Sequence, residues 1–188
     1  MTTTPDDLRS GDALIIVDLQ NDFCPGGALP IENGDAIVAV VNEWIAGCAR
    51  HAVPVVASRD WHPVGHLSFE QSGGPWPVHC VQDTEGARFH PDLALPANAV
   101  VVTKGVRFDQ DQNSVFDQTG LASKLRGDGV ERLWVAGLAQ DVCVLATVLD
   151  ARKAGFAVNV LLDATRAVTP QDAERANEQM RNAGALLV

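Results

Sequence analysis

The sequence predicts an α/β fold of one domain, with a doubly wound, mostly parallel six-stranded sheet and helices on both faces. Three observations indicate it. Short apolar runs rich in β-branched residues recur along the chain, as in strands that are buried on both faces of a parallel sheet. Stretches with apolar residues at helical spacing lie between these runs, and this alternation implies right-handed crossovers. The length of 188 residues favours a single domain over residues 1–188.

The six apolar runs are the predicted strands. In chain order they are Ala13–Asp18, Val53–Ser58, Ala99–Thr103, Arg132–Ala136, Ala157–Leu162 and Ala185–Val188. The first run shows the pattern clearly, because it is continuously apolar up to its final aspartate. A strand with one solvent-facing side would instead alternate polar and apolar residues.

Four helices are predicted between and after the strands. They cover Asp35–His51, Ser123–Arg126, Asp141–Ala154 and Pro170–Ala183. Gly127 and Gly155 are expected to end the second and third helices, because glycine is favoured just after a helix. Thr169 and Pro170 are suited to the N-cap and the first helical position of the fourth.

The segment Asp60–Pro96 breaks this alternation of strand and helix. It has little periodicity and is rich in proline and histidine, but it contains Trp61 and Trp76, which argue for an ordered structure. A connection of this length inside a compact domain is usually functional or disordered. We therefore predict an ordered functional loop over residues 60–96.

Composition excludes several classes of protein. Fourteen Lys and Arg residues against 24 Asp and Glu give a net charge of −10, which disfavours a surface that binds nucleic-acid phosphates. The apolar runs are far shorter than the roughly 20 residues that cross a bilayer. The first residues lack the basic and apolar segments of a signal peptide. We expect a cytoplasmic protein with no nucleic-acid or membrane partner, and a homo-oligomer stays open.

Chemically capable side chains follow the ends of the predicted strands. Asp18, Asp60, Lys104 and the segment Gly137–Cys143 all lie at such positions. Because ligands of open α/β sheets bind outside the carboxyl ends of the strands, we expect these groups to meet in one crevice. Lys104 would there hold the Asp18 carboxylate ionised. A strand-end ion pair without chemical function is the alternative.

The cysteines show no C-x-x-C spacing, and a reducing cytoplasm disfavours disulfides. Cys24, Cys48 and Cys80 are therefore interpreted as small buried hydrophobic residues. Cys143 falls near the first turn of a predicted helix, where the helix dipole is expected to lower the thiol pKa and free amides can bind an oxyanion. Asp18 or a histidine is available to accept its proton. Taken alone, Cys143 fits the role of a core cysteine on an amphipathic helix better than that of a nucleophile.

The loop over residues 60–96 carries one carboxylate and several imidazoles close together in sequence. The candidates for metal binding are Asp60, His62, His66 and His79. This combination suits Zn²⁺ or Fe²⁺, with Mn²⁺ as a further candidate. The alternative is that these histidines bond only to loop backbone groups or to solvent.

Several short motifs, in a fixed order, resemble those of a known family over nearly the whole chain. They are Val17–Phe23, Arg59–Pro63, Gly74–Cys80, Lys104–Gly105 and Asp141–Val144. In this order they resemble the nicotinamidases and pyrazinamidases, a group of the isochorismatase-like cysteine hydrolases. The metal loop is the most specific part of the resemblance.

The resemblance implies a role for each of these residues. Asp18, Lys104 and Cys143 would form the catalytic triad. A non-proline cis peptide between Leu138 and Ala139 would aim the Ala139 N–H, together with that of Cys143, at an oxyanion. Asp60, His62 and His79 would bind the metal, with His66 as a fourth ligand or a neighbour of the metal's waters. Phe23 and Trp76 would form an aromatic sandwich around the substrate.

The implied function is that of a metal-dependent cysteine amidohydrolase of NAD salvage. It would deamidate nicotinamide, a small neutral aromatic amide, through a thioester intermediate, and pyrazinamide is the expected second substrate. One divalent metal and no organic cofactor are expected. Gln140 and Asn113 depart from residues that family members often carry, and Arg107 lies in an unusual segment. These departures leave open a related amidase for another carboxamide, carbamoyl or ureido compound. A non-catalytic metal-binding or interaction domain is a third reading.

Overall fold

The computed structural model describes residues 3–188, and these contain one six-stranded parallel sheet. The strands are β1 (Asp12–Val17), β2 (Val55–Asp60), β3 (Val100–Lys104), β4 (Arg132–Leu138), β5 (Ala157–Arg166) and β6 (Leu186–Leu187). Their order across the sheet is β3-β2-β1-β4-β5-β6, so the chain first winds outward from β1 and then returns to build the other half. The predicted fold class is confirmed, and every neighbouring pair is parallel.

Four α-helices connect or follow the strands. They are α1 (Val38–His51), α2 (Leu121–Gly127), α3 (Leu145–Lys153) and α4 (Pro170–Asn182). A 3₁₀ turn at Asp35–Ile37 leads into α1, and a π-helical turn at Gln140–Val144 leads into α3. Two predicted helices therefore begin as other helix types, because hydrophobic spacing does not distinguish these from an α-helix over one turn.

Helix ends follow the sequence signals in two of three cases. The Thr169 hydroxyl accepts the Asp172 N–H and caps α4, and Gly155 takes a left-handed φ of 92° just after α3. Gly127, however, lies inside α2, and the left-handed residue that follows this helix is Gly129, with φ 76°. Helix α2 therefore ends one residue after the predicted Arg126, and the glycine in the left-handed position after it is Gly129 rather than Gly127.

Strand β1 is buried on both faces, which explains why its sequence does not alternate. Leu14 and Ile16 pack in the core that includes the apolar face of α1. Ala13 and Ile15 pack in the second core, which is built with α2, α3 and α4. Helices therefore cover both faces of the sheet, as the sequence predicted.

The chain between β2 and β3 folds back on itself rather than extending into solvent. The His62 N–H donates to the Cys80 carbonyl at 2.8 Å, and the Gln82 N–H donates to the His62 carbonyl at 2.9 Å. These bonds place His79 beside His62 although 17 residues separate them in sequence. Among residues 3–188, no helix has both the length and the apolar character that a membrane span needs.

Candidate active site and metal centre

The carboxyl ends of three adjacent strands bring together three charged side chains. Asp18 follows β1, Asp60 ends β2 and Lys104 ends β3. The Lys104 Nζ lies 2.7 Å from Asp18 Oδ2 and 2.6 Å from Asp60 Oδ1, and all three side chains are buried. Lys104 thus links two carboxylates at the edge of the sheet where the sequence analysis placed a crevice.

The backbone and its neighbours hold the Asp18 carboxylate in place. Asp18 has a φ of 45°, a conformation that non-glycine residues rarely adopt, and its Oδ1 accepts a hydrogen bond from Ser58 Oγ at 2.7 Å. Burial raises the pKa of Asp18 to about 6, although the Lys104 ammonium opposes this rise. The carboxylate is therefore ionised at neutral pH, with a pKa suited to accepting a proton from a nearby group.

Gln20 holds the backbone of Asp60 through hydrogen bonds to both its N–H and its carbonyl. The Gln20 Nε2 donates to the Asp60 and Ala87 carbonyls, each at 2.8 Å, and its Oε1 accepts the Asp60 N–H at 2.8 Å. Gln20 is fully buried, so these bonds are shielded from water. Gln20 lies in the motif Val17–Phe23, but the sequence did not predict this positioning role, because its partners lie 40 and 67 residues away.

Cys143 lies on the π-helical turn after β4 and contacts the charged cluster. Its Sγ lies 3.4 Å from Lys104 Nζ, within a group of side chains that also contains Asp18 and Asp60. Burial, together with the two carboxylates, raises the pKa of the Cys143 thiol well above its ordinary value, against the opposing effect of Lys104. The expected lowering by the helix dipole is thus wrong for this structure. A thiol with a raised pKa is neutral at neutral pH, and it can act as a nucleophile only after a base accepts its proton.

The other three cysteines are also buried and free, but they lie away from the cleft that Cys143 lines. Burial raises the pKa of Cys24 to about 11 and that of Cys48 to about 12, and it raises the pKa of Cys80 further still. All three pack within the core that includes α1. Their thiols are consistent with the packing role predicted for them.

Asp60, His62 and His79 offer ligand atoms that all lie within 4.8 Å of one another. The His62 Nδ1 is 2.8 Å from the Gly105 carbonyl, and the His79 Nδ1 is 2.8 Å from the Pro77 carbonyl. Each carbonyl orients its imidazole in the way that outer partners orient metal-bound histidines, which leaves Nε2 of each ring as the ligand atom. Burial lowers the pKa of His62, which keeps this ring neutral, as a metal ligand must be.

His66 lies beside this group with one nitrogen unsatisfied. Its ring stacks on His62 with 4.3 Å between centroids, and its Nδ1 is 2.7 Å from Ser68 Oγ. Its Nε2 is buried and has no hydrogen-bond partner in the part of the chain that is described. A buried polar atom without a partner marks a place where a water or an ion belongs.

The charges of the site also fit a cation. With Lys104 protonated, the ionised Asp18 and Asp60 carboxylates leave one net negative charge in a buried place, a cost that a positive ion would reduce. One carboxylate and imidazole nitrogens form a donor set that suits Zn²⁺ or Fe²⁺. The residues present therefore fit a divalent transition metal.

Asp22 ties two parts of the site together. Its carboxylate accepts the Cys80 N–H at 2.7 Å and the Ala28 N–H at 3.0 Å, which joins the turn that carries Phe23 to the loop that carries His79. As a result, the Phe23 and His79 rings lie 5.5 Å apart. Asp22, like Gln20, belongs to the motif Val17–Phe23, but its role depends on contacts that sequence spacing does not show.

A cleft of about 520 Å³, including its mouth, opens beside Cys143 and the metal-binding group. Its lining is mainly apolar and aromatic, and includes Phe23, Ile31, Trp76, Ala139 and Val142. The peptide bond between Leu138 and Ala139, at the inner end of β4, is cis. The structure thus brings Phe23 and Trp76 to one cleft with Cys143.

The three residues that depart from the family pattern occupy different places. Asn113 lines the cleft, with its Oδ1 3.9 Å from Cys143 Sγ. Arg107 is instead paired with the exposed Asp109 and is not part of the cleft lining. Gln140 is turned away and donates to Asn177 of α4 at 2.7 Å. Of the three, only Asn113 is placed to contact a bound molecule.

The parallel sheet, with an aspartate, a lysine and a cysteine at its carboxyl edge, has the architecture of one hydrolase family. The sequence pattern of the isochorismatase domain matches residues 12–188, and the chain belongs to the isochorismatase family. Similar proteins include the nicotinamidase of Escherichia coli, which is 43% identical over 198 residues, covering 93% of each chain.

Solved structures show the same likeness. A pyrazinamidase of Pyrococcus horikoshii in complex with zinc is 48% identical, with a TM-score of 0.91 over 95% of this chain and 98% of that one. PnC1 from L. infantum in complex with nicotinate is 37% identical, with a TM-score of 0.88 over 100% of this chain and 95% of that one. The resemblance to nicotinamidases and pyrazinamidases that the motifs indicated is thus confirmed.

Proposed function

We propose that this protein is a nicotinamidase, which hydrolyses nicotinamide to nicotinate and ammonia and accepts pyrazinamide as well. The observation that carries the proposal is the shared position of Asp60, which contacts Lys104 on one side and His62 on the other and lies within one group of candidate ligands with His62 and His79. The proposed nucleophile and the proposed metal site therefore border one cleft, whose walls are mainly apolar and aromatic. The nicotinamidase of Escherichia coli, the pyrazinamidase of Pyrococcus horikoshii in complex with zinc and PnC1 from L. infantum in complex with nicotinate support this proposal.

The residues proposed to hold the metal are Asp60, His62 and His79, with His66 beside them. We propose Zn²⁺ or Fe²⁺, which when bound would act as a template for the ring nitrogen of the substrate, directly or through a water. Phe23 and Trp76 would pack against the two faces of the ring. This positioning would bring the carboxamide carbon to Cys143 and convert the attack into an effectively intramolecular step.

In the acylation half of the proposed reaction, Asp18 accepts the proton of the Cys143 thiol. The sulfur then attacks the carboxamide carbon, and the N–H groups of Ala139 and Cys143 stabilise the oxyanion that forms. Lys104 keeps Asp18 anionic and correctly oriented. Asp18 next gives the proton to the leaving nitrogen, so that ammonia departs and a thioester remains on Cys143.

The deacylation half uses the same carboxylate. Asp18 takes a proton from a water molecule, which attacks the thioester carbon. The carbon–sulfur bond breaks, nicotinate leaves, and the proton returns to the Cys143 sulfur. One base therefore serves both halves, which agrees with its raised pKa of about 6.

A panel of amides tests the proposed substrate. We expect ammonia release from nicotinamide and pyrazinamide, with a far higher kcat/KM than from a ureido or carbamoyl compound of similar size. The apolar aromatic walls of the cleft favour a flat ring over an extended ureido group. A preference for the ureido or carbamoyl compound would replace the proposal by the related amidase, the second function that Asn113 keeps open.

Replacing His62 by alanine is expected to remove the metal. His62 belongs to the proposed ligand set and stacks on His66, so its loss should lower zinc affinity by well over tenfold, because even outer partners of ligands contribute about 10–100-fold. His90→Ala is the matched control, since His90 lies in the same loop but outside the metal group. Metal content after dialysis measures the effect. Full occupancy in His62→Ala would exclude His62 as a ligand.

The pH dependence of kcat/KM is expected to show an acid limb at or slightly below pH 6. Burial raises the pKa of Asp18 to about 6, and only the ionised carboxylate can accept the thiol proton, so activity falls as the pH drops through this value. Metal content is measured across the same range, because protonation of histidines would also release the ion. A profile that stays flat down to the ordinary carboxyl range, or a limb that follows metal loss, would contradict the assignment.

A further inference from the structure

The segment that follows β3 brings an unassigned carboxylate to the metal site. Asp111 lines the cleft, and one of its oxygens lies with nitrogens of His62 and His66 in a set of atoms within 4.8 Å of one another. This second donor group shares His62 with the group formed by Asp60, His62 and His79. Asp111 therefore reaches the same centre from a different part of the chain.

His66 has one ring nitrogen without a hydrogen-bond partner, and this nitrogen faces the space between the two donor groups. The His66 Nδ1 lies 2.7 Å from Ser68 Oγ and 3.3 Å from the Ser68 backbone nitrogen, so Ser68 occupies this side of the ring and Nε2 is left to face the site. Nε2 is buried and has no hydrogen-bond partner among residues 3–188, so an unsatisfied polar atom faces the site. Asp111 supplies the nearby negative charge, but no direct hydrogen bond joins the two side chains.

The spacing indicates what lies between them. Two ligands of one zinc ion, each at about 2.0–2.1 Å, are at most about 4.2 Å apart. A water that bonds to both groups at about 2.8 Å spans a somewhat longer distance. The 4.8 Å that bounds these separations therefore allows a metal-bound water between His66 and Asp111, and it allows a direct bond of both groups to the ion where they lie within about 4.2 Å.

The neighbouring acidic residue gives an internal comparison. Asp109, two residues earlier, is exposed and forms an ion pair with Arg107 at 2.6 Å. Asp111 is half-buried and has no ion pair in the described chain, and its Oδ1 accepts only the N–H of Gln112. The two carboxylates share a segment, but only Asp111 faces the imidazoles.

We propose that Asp111 is a further residue of the metal site, and that its carboxylate holds the ion, directly or through a water that also bonds to His66 Nε2. This bond would anchor the segment 106–113 onto the metal and close that side of the cleft. The proposal rests on the metal half of the proposed function and not on the identity of the substrate.

The test compares Asp111→Asn with Asp109→Asn in zinc affinity. Metal-free full-length protein is titrated with zinc against a chromogenic chelator, and the absorption spectrum of the cobalt-substituted protein is recorded. We expect Asp111→Asn to weaken zinc binding by about tenfold or more and to change the cobalt spectrum, with Asp109→Asn unchanged in both. Because both side chains reach the surface and asparagine is nearly the same size, both variants should fold.

Two results would overturn the proposal. One is an Asp111→Asn variant with wild-type zinc affinity and a wild-type cobalt spectrum. The other is an equal loss of affinity in both variants, which would assign the effect to the general charge of the segment. A wild-type protein that binds no zinc or cobalt would instead contradict the metal half of the proposed function, so the two failures are distinguishable.

Discussion

Replacing Cys143 by alanine is expected to reduce ammonia release from nicotinamide by a factor of about 10⁴ or more, as the loss of a nucleophile does in enzymes with a comparable triad. Among residues 3–188, its sulfur is the only thiol on the cleft lining, and it lies 3.4 Å from the Lys104 ammonium. No other described cysteine is placed to substitute for it. Metal content and the circular dichroism spectrum should match the wild type, because the side chain is small and is not one of the proposed ligands.

Cys48→Ala is the matched control for this experiment. Cys48 is as buried as Cys143, but it packs in α1 away from the cleft, so its replacement should lower stability by about 1 kcal/mol and leave turnover nearly unchanged. Mass spectrometry of quenched wild-type reactions locates the acyl group. Turnover retained in Cys143→Ala, or an adduct on a different cysteine, would refute the assigned nucleophile.

Replacing Lys104 by methionine is expected to impair both catalysis and folding. Lys104 lies 2.7 Å from Asp18 and 2.6 Å from Asp60, and it is fully buried. Methionine keeps much of the side-chain volume but leaves two buried carboxylates without a positive partner, which costs about 3–5 kcal/mol. The pKa of Asp18 should rise further, so that it is protonated at neutral pH and no longer accepts the thiol proton. We expect urea unfolding at a lower midpoint, and activity reduced by at least about 10³-fold.

Two further variants separate charge from packing in this result. Lys124→Met removes an exposed lysine that pairs with Asp128, and it should change stability by less than about 0.5 kcal/mol. Adding Asp18→Asn to Lys104→Met removes one of the stranded carboxylates, so it should recover part of the lost stability without recovering activity. A Lys104→Met variant as stable as the wild type would show that the buried charges are balanced in another way.

Most of the sheet could be predicted because its strands are buried on both faces and read as continuous apolar runs. Strand β5 is the clearest exception, since it continues to Arg166, beyond the predicted end at Leu162. After an irregularity in its pairing with β4, the Thr165 Oγ1 donates to the Gly137 carbonyl at 2.7 Å. This extension depends on contacts with β4 and leaves no apolar run in the sequence.

The charged residues of the candidate site could be placed from sequence because topology controls them. Once the strands are parallel and adjacent, Asp18, Asp60 and Lys104 must lie at one edge. The side chains that hold them in position are different, because Gln20 and Ser58 act through hydrogen bonds to residues 40 positions away. Such partners produce no periodicity or spacing signal.

The direction in which the pKa of Cys143 is shifted could not be predicted either. A helix N-terminus lowers the pKa of a thiol when the site is open to water, as the sequence analysis assumed. In the structure, burial and the Asp18 and Asp60 carboxylates act in the opposite direction and outweigh the Lys104 ammonium. The degree of burial is a property of the folded chain, and local sequence does not contain it.

The most direct test of the account is ammonia release from nicotinamide before and after the metal is removed. The protein is assayed as purified, after treatment with a chelator, and after Zn²⁺ or Fe²⁺ is restored. If the protein is a metal-dependent nicotinamidase, we expect equal amounts of ammonia and nicotinate from the untreated protein, loss of activity with the chelator and recovery with the metal. No ammonia from nicotinamide under any of these conditions, or full activity in metal-free protein, would contradict it.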